Sequence, residues 1–224
     1  SAEEARTAYE TLEIGADGVL LDADSPDVIR ETVAVRDEAD REHLDLEYAE
    51  VTAVEQVGSA DRVCVDTGSM MDHDEGMLVG SMARGLFFVH AETAESPYVA
   101  SRPFRVNAGA VHAYVRAPGG ETRYLAELGS GDEVQIVDTA GNTRETVVGR
   151  SKIEKRPMFR LQAETEEGDR IETLLQNAET IKVHTEAGGR TAITDLEVGD
   201  RILIFYDDTA RHFGEAVEES IIEK

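Results

Sequence analysis

The sequence predicts an α+β protein: an incomplete α/β (β/α-repeat) segment over 1–46, then a mostly β region whose last part holds two tandem small barrel-like units. Three observations predict this. Helical spacing is confined to the first forty residues, short β-branched runs between Gly and Asp turns dominate from Glu47 onward, and one set of turn elements recurs late in the chain.

The first element is a helix over Ala2–Ile14, with apolar residues at Ala5, Ala8, Tyr9 and Leu12 and a stop at Gly15. Ala16–Asp22 is a candidate buried strand. Ser25-Pro26 opens a second helix reaching about Arg36, Ser25 serving as N-cap and Pro26 filling the first turn. Helix, strand, helix is a piece of a larger α/β repeat, because a single parallel strand has no neighbours to satisfy its backbone. The expected divisions are 1–46, a β-rich stretch over 47–118 and a duplicated stretch over 119–224. The duplication rests on three elements in order: Gly119-Gly120, Leu128-Gly-Ser-Gly-Asp132 and Ser151-Lys-Ile-Glu-Lys155. They return as Gly188-Gly189, Leu196-Glu-Val-Gly-Asp200 and Ser220-Ile-Ile-Glu-Lys224, at offsets of 69, 68 and 69 residues.

Composition limits the function classes. The 224 residues carry 47 Asp and Glu against 22 Lys and Arg, a net charge of −25, and only Lys152, Lys155, Lys182 and Lys224 are lysines. Such self-repulsion favours solubility where ions screen it, so the surface suits a salt-rich cytoplasm. It opposes nucleic-acid binding, which needs clustered cations. Nothing resembles a signal peptide and no apolar run approaches a membrane span. The single cysteine, Cys64, lies in the apolar run Arg62-Val-Cys-Val-Asp66 and reads as a small buried hydrophobe.

Ser96–Gly120 is the most informative segment. At 47 acids in 224 residues, its 25 residues would hold about five, yet it has none, while carrying Arg102, Arg105, Arg116 and His112. A guanidinium grips a carboxylate through a planar fork, so this window is a candidate anion site. The other reading is a buried stretch whose arginines pair with Glu92 or Glu95. Upstream, His90 and Glu92 end an apolar strand on one face, the arrangement of a general acid–base pair or of a structural contact. Gly76, Gly80 and Gly85 do not form the dinucleotide fingerprint, and no spacing of His, Asp or Glu marks a metal site.

Together, Arg62-Val-Cys-Val-Asp-Thr67, Glu75-Gly-Met-Leu-Val-Gly-Ser81, Gly85-Leu-Phe-Phe-Val-His-Ala-Glu-Thr93 and Ser96–Gly109 resemble the archaeal-type (type II) 3-dehydroquinate synthases. Val111-His-Ala-Tyr114, Leu175-Gln-Asn-Ala-Glu-Thr-Ile181, Ala210-Arg-His-Phe-Gly214 and Glu219-Ser-Ile-Ile-Glu-Lys224 continue the likeness, so it runs from about Glu47 to the end. Family members are longer at the N-terminus, and the chain resembles their C-terminal portion. The resemblance implies an NAD-dependent enzyme of aromatic amino-acid biosynthesis. Its substrate would be a small anionic amino-sugar acid, 2-amino-3,7-dideoxy-D-threo-hept-6-ulosonate. The steps are oxidative deamination at C2, loss of ammonia, and ring closure by attack of the C7 enolate on the C2 ketone, giving 3-dehydroquinate. On that implication Arg102 and Arg105 bind the substrate carboxylate and Asn107 aligns it. His90 and Glu92 move protons, His112 is a second acid–base candidate, and Lys152 polarises the C6 ketone or forms a Schiff base. No metal, nucleic-acid or membrane partner is expected; the NAD site is unplaced and a homo-oligomer stays open. The rival expectations are a non-catalytic β-barrel binding module and a metal-assisted aldolase or lyase.

Overall fold

The computed structural model describes residues 1–10, 15–39, 41–94, 100–207, 210–212 and 215–217. The expected helix end at 11–14, the start of the acid-free window at 96–99 and the closing Glu219–Lys224 motif lie outside them, as do Phe213 and Gly214. The chain divides into two compact units, Ser1–His43 and Leu44–Lys224.

The first unit pairs helix α1 (Ala2–Glu10) with helix α2 (Pro26–Ala39). Ala5 and Val35 are buried, and Arg6 reaches Glu38 at 2.8 Å. Pro26 starts α2 where expected, since its missing N–H costs nothing in a first turn. The expected strand over Ala16–Asp22 is absent: these residues pair with no strand and Leu20 is fully exposed. Apolar character alone does not make a strand, which needs a neighbour to accept and donate its backbone hydrogen bonds. No helix among the described residues is long and apolar enough to cross a membrane.

The second unit is almost all β. Its strands are β1 (Glu47–Thr67), β2 (Glu75–Met82), β3 (Gly85–His90), β4 (Arg105–Ala110), β5 (Tyr114–Arg116), β6 (Thr122–Tyr124) and β7 (Glu133–Asp138), then β8 (Thr143–Glu164), β9 (Arg170–Gln176), β10 (Lys182–Thr185), β11 (Gly189–Ala192) and β12 (Arg201–Tyr206). β13 (Ala210–His212) and β14 (Glu215–Val217) form a separate pair. Among the described residues the first twelve make one sheet, and its antiparallel pairings run β3–β12–β1–β8–β7–β2 and return to β3. The sheet closes on itself, so these strands have partners on both sides. Alternation then sorts the side chains: Val63 and Val65 of β1, Phe87 and Val89 of β3 and Ile202 and Ile204 of β12 enter one core, while their neighbours face away. Fully burying a side chain such as Phe87 stabilises the fold by about 2 kcal/mol.

The two Leu-x-x-Gly-Asp turns of the expected repeat share one local structure, but among the described residues they belong to one sheet and not to two barrels. Each copy follows a short 3₁₀ turn, Leu125–Glu127 in one and Ile193–Asp195 in the other. Asp132 accepts the Gly129 N–H at 2.7 Å and Asp200 the Glu197 N–H at 2.8 Å. Gly131 and Gly199 then take φ of 96° and 97°, a left-handed turn that an L side chain would strain. The Gly131 N–H donates to the Val148 carbonyl of β8, whereas the Gly199 N–H donates to the Val51 carbonyl of β1. β1 thus does for the second copy what β8 does for the first. The two copies are halves of one ring sharing one core, since Val134 and Ile202 belong to the same apolar cluster.

Candidate functional site

The face of β1 turned away from the core carries Arg62, Cys64 and Asp66. Directly paired residues on neighbouring strands project to the same side. Asp66 pairs with Arg105 on β4 and Arg150 on β8; Cys64 pairs with Asn107 and Lys152; Arg62 pairs with Glu154. A β-bulge between Val63 and Cys64 brings Arg105 and Asn107 into this register. An isolated bridge between Glu92 and Arg102 adds those two residues, the Glu92 N–H donating to the Arg105 carbonyl at 2.8 Å.

The polar groups on this face are closely held. Arg105 donates from Nε to Asp66 Oδ1 at 2.7 Å and from Nη2 to Oδ2 at 2.9 Å, and Arg150 donates to Oδ2 from the other side. Burial pushes the Asp66 carboxyl upward, but the hydrogen bonds from Arg105 and Arg150 outweigh it and hold the group below the usual carboxylate range. The same hydrogen bond raises Arg105 further, so both groups stay charged. Arg102 lies 3.3 Å from Glu92 and Lys152 lies 3.4 Å from Glu154. Asn107 donates to the Gln176 amide oxygen at 2.9 Å, and its own Oδ1 is buried without a partner. Burial pushes the Cys64 thiol up and Arg62 packs against its sulfur, which agrees with an inert buried cysteine.

His90 belongs to a different cluster. Leu86, Phe88 and His90 alternate to the side of β3 opposite Phe87 and Val89. The imidazole is 3% exposed, edge-on to Phe88 at 4.9 Å between ring centroids, and its Nε2 lies 3.2 Å from His184 Nδ1. Burial, with Arg190, His184 and His73 around it, pushes its pKa from 6.5 down to about 3. His90 is therefore neutral in the folded protein at neutral pH. Acid should destabilise the fold, because the unfolded chain takes up this proton near pH 6.5 while the folded chain resists it to about pH 3. From this group alone we expect a loss of about 2 kcal/mol between pH 6.5 and 5. Urea unfolding at both values, compared with His90→Asn, checks this; an identical pH dependence in the variant would contradict it.

His112 is apart from both clusters. It is exposed, with Nε2 2.9 Å from Ser81 Oγ. Gly76 of β2 pairs with His90 while Ser81 lies five positions along the same strand, a separation of about 16 Å at the usual strand rise. The structure thus gathers Glu92, Arg102, Arg105, Asn107 and Lys152 on or beside one face, and leaves His90 and His112 off it. Among the described residues no group of three or more His, Cys, Asp or Glu is placed to hold a metal.

Sequence reasoning did not single out Asp66, Arg150, Gln176, His184 or Arg190. Asp66 had a usable signal, since it keeps the parity of Arg62 and Cys64 beside a Val-Cys-Val core run. Arg150 and Gln176 had none, because only cross-strand pairing brings them near β4.

The fold and face define a class: a β-rich domain with a closed sheet, one strand face of which carries arginines held by Asp66, Glu92 and Glu154. Residues 48–224 match the model of the 3-dehydroquinate synthase II C-terminal domain, and residues 1–36 match that of the N-terminal domain. The chain belongs to the 3-dehydroquinate synthase II family. It is 80% identical over 224 residues to the 3-dehydroquinate synthase of Haloarcula marismortui, 73% to that of Halobacterium salinarum and 54% to that of Methanocaldococcus jannaschii. All of the chain is covered in each, against 58%, 58% and 62% of those relatives, so it spans less than two thirds of their length. No solved structure matches it.

Proposed function

We propose that this chain supplies the C-terminal part of an NAD-dependent 3-dehydroquinate synthase acting in a salt-rich cytoplasm. The enzyme would convert 2-amino-3,7-dideoxy-D-threo-hept-6-ulosonate to 3-dehydroquinate by oxidative deamination and ring closure. The observation that carries the site assignment is the Asp66–Arg105 fork. With Nε and Nη2 of Arg105 fixed on Asp66, Nη1 is the donor left for a substrate carboxylate, which Arg102 approaches from the neighbouring bridge. Asn107 Oδ1 offers a buried acceptor to an amine or hydroxyl of the same substrate. Glu92 stands ready as a carboxylate base beside Arg102. Lys152, half-exposed on the same face, polarises the C6 ketone as an ammonium or condenses with it as a free amine, releasing water. His90 is buried off this face and, with a pKa pushed down to about 3, is a weak base, so the proton transfers fall to Glu92. His112 is the second acid–base candidate, on a separate surface.

NAD would accept the hydride from C2. The described residues do not fit a dinucleotide cradle. Gly76, Gly80 and Gly85 serve close strand contact, an added Cβ meeting Val89 O at 2.1 Å, Gly85 O at 2.2 Å and an Ile171 methyl at 2.2 Å respectively. No step is therefore routed through the cofactor on these residues. The reading is tested by joining this chain to the N-terminal part of the Haloarcula marismortui relative, in place of the matching segment. At high salt with NAD and the amino-sugar acid we expect NADH absorbance and free ammonia in equal amounts. A folded chimera that forms neither would sink the proposal.

A further inference from the structure

The β10–β11 hairpin carries an arginine unlike others in the unit. Arg62, Arg105, Arg144 and Arg150 are each held by a carboxylate. Arg190, half-buried, has none among the described residues. Its Nη1 donates to the His73 carbonyl at 2.6 Å and to Thr93 Oγ1 at 2.5 Å, and its Nη2 donates to the Ala91 carbonyl at 2.8 Å. His73 Nδ1 lies 3.3 Å from the same Nη1, and His184, the cross-strand partner of Arg190, lies 3.2 Å from His90. Arg190 Nε and His90 Nδ1 are buried and have no partner.

Desolvation lowers the Arg190 pKa with nothing to oppose it, and Arg190 in turn depresses both His90 and His184 after burial has done so. Among the described residues, nearby acids are engaged elsewhere or face solvent. Glu92 is on Arg102, Glu75 on Arg144 and Glu186 on Arg201, while Asp72 and Asp74 flank His73 on the exposed side. A half-buried, pinned guanidinium beside buried His90 and half-buried His184, with no carboxylate on it among the described residues, is costly to assemble in a chain with 47 acids. Dipoles of three backbone and hydroxyl oxygens orient the cation but do not neutralise it.

We propose that Arg190, His184 and His73 form a receptor for an oxyanion, a carboxylate or phosphoryl group carried by a small ligand. The site adjoins the Arg105 face through Ala91 and Thr93, which flank Glu92, but shares no side chain with it, and its test needs no turnover. Imidazole Cε1–H resonances of the 224-residue chain are followed by NMR while sodium pyrophosphate or sodium acetate replaces KCl at constant ionic strength. We expect saturable shifts of His73 and His184 with at least one of them, and none of His112, which reports from Ser81. Tighter binding of pyrophosphate assigns a phosphoryl ligand; tighter binding of acetate assigns a carboxylate. Arg190→Gln should weaken the binding at least tenfold. If that variant does not fold, Arg190→Lys, which keeps the charge and loses the fork, should weaken it several-fold. No saturable shift with either anion, or equal binding in the folded variants, overturns the proposal.

Discussion

Replacing Arg105 with alanine should weaken binding of the amino-sugar acid by roughly 10- to 150-fold in the chimeric enzyme, the loss of one charge-assisted contact of about 1.5–3 kcal/mol. The same change strands Asp66, whose side chain is 6% exposed, against Arg150 alone. Breaking a buried pair costs about 3–5 kcal/mol, and the surviving Arg150 places this one near the lower end. Two measurements separate the effects. Calorimetric melting reports the lost ion pair, whereas the substrate's KM reports the lost carboxylate contact. Arg105→Lys keeps the charge but cannot span both Asp66 oxygens, so it should recover part of the stability and little of the affinity. A melting point that falls while KM stays put would leave Arg105 a structural residue and remove the centre of the assignment.

Gly76→Ala should cost more than about 4 kcal/mol and lower the melting temperature by about 10 °C or more for a domain of this size. The reason is steric and local. The new methyl carbon would sit 2.1 Å from Val89 O, 2.8 Å from Val89 C and 3.0 Å from His90 Cα, all backbone atoms of β3. β2 and β3 close the ring at this pairing, so neither can yield without opening it. Gly58→Ala is the control: it has open space and φ of 90°, so only strain of about 1 kcal/mol is expected. A Gly76→Ala protein that melts within a few degrees of the parent would show that the close approach is not needed.

Those glycines show what the sequence could and could not reveal. Their spacing ruled out a dinucleotide loop, yet nothing local indicated that a strand would lie against them. The start of α2 at Pro26 was legible because caps are written within four residues. The Leu-x-x-Gly-Asp repeat was legible as well, but its meaning was not. Whether two such turns close two barrels or one depends on Val51 and Val148 as acceptors, and these lie on strands that no local pattern joins. At the site, the absence of acids over Ser96–Gly120 pointed to Arg102, Arg105 and Arg116, and the family resemblance added Asn107. It could not show that Arg105 would be tied to Asp66, or that Arg190, next to a Gly-Gly turn, would meet His73 across the sheet. His90 and Glu92 share a strand end as expected, yet their partners differ, His184 for one and Arg102 for the other.

The closed ring also sets the order in which the domain is completed. Glu47 at its first strand pairs with Ile204 at its last, and β1 pairs along most of its length with β8. On a ribosome, β1 emerges long before either partner and must wait with an unpaired edge until β12 is free. Contacts so distant along the chain slow folding to the millisecond-to-second range. A crowded surface of like charges, which keeps waiting strands of neighbouring copies apart, is then useful during synthesis as well as afterwards.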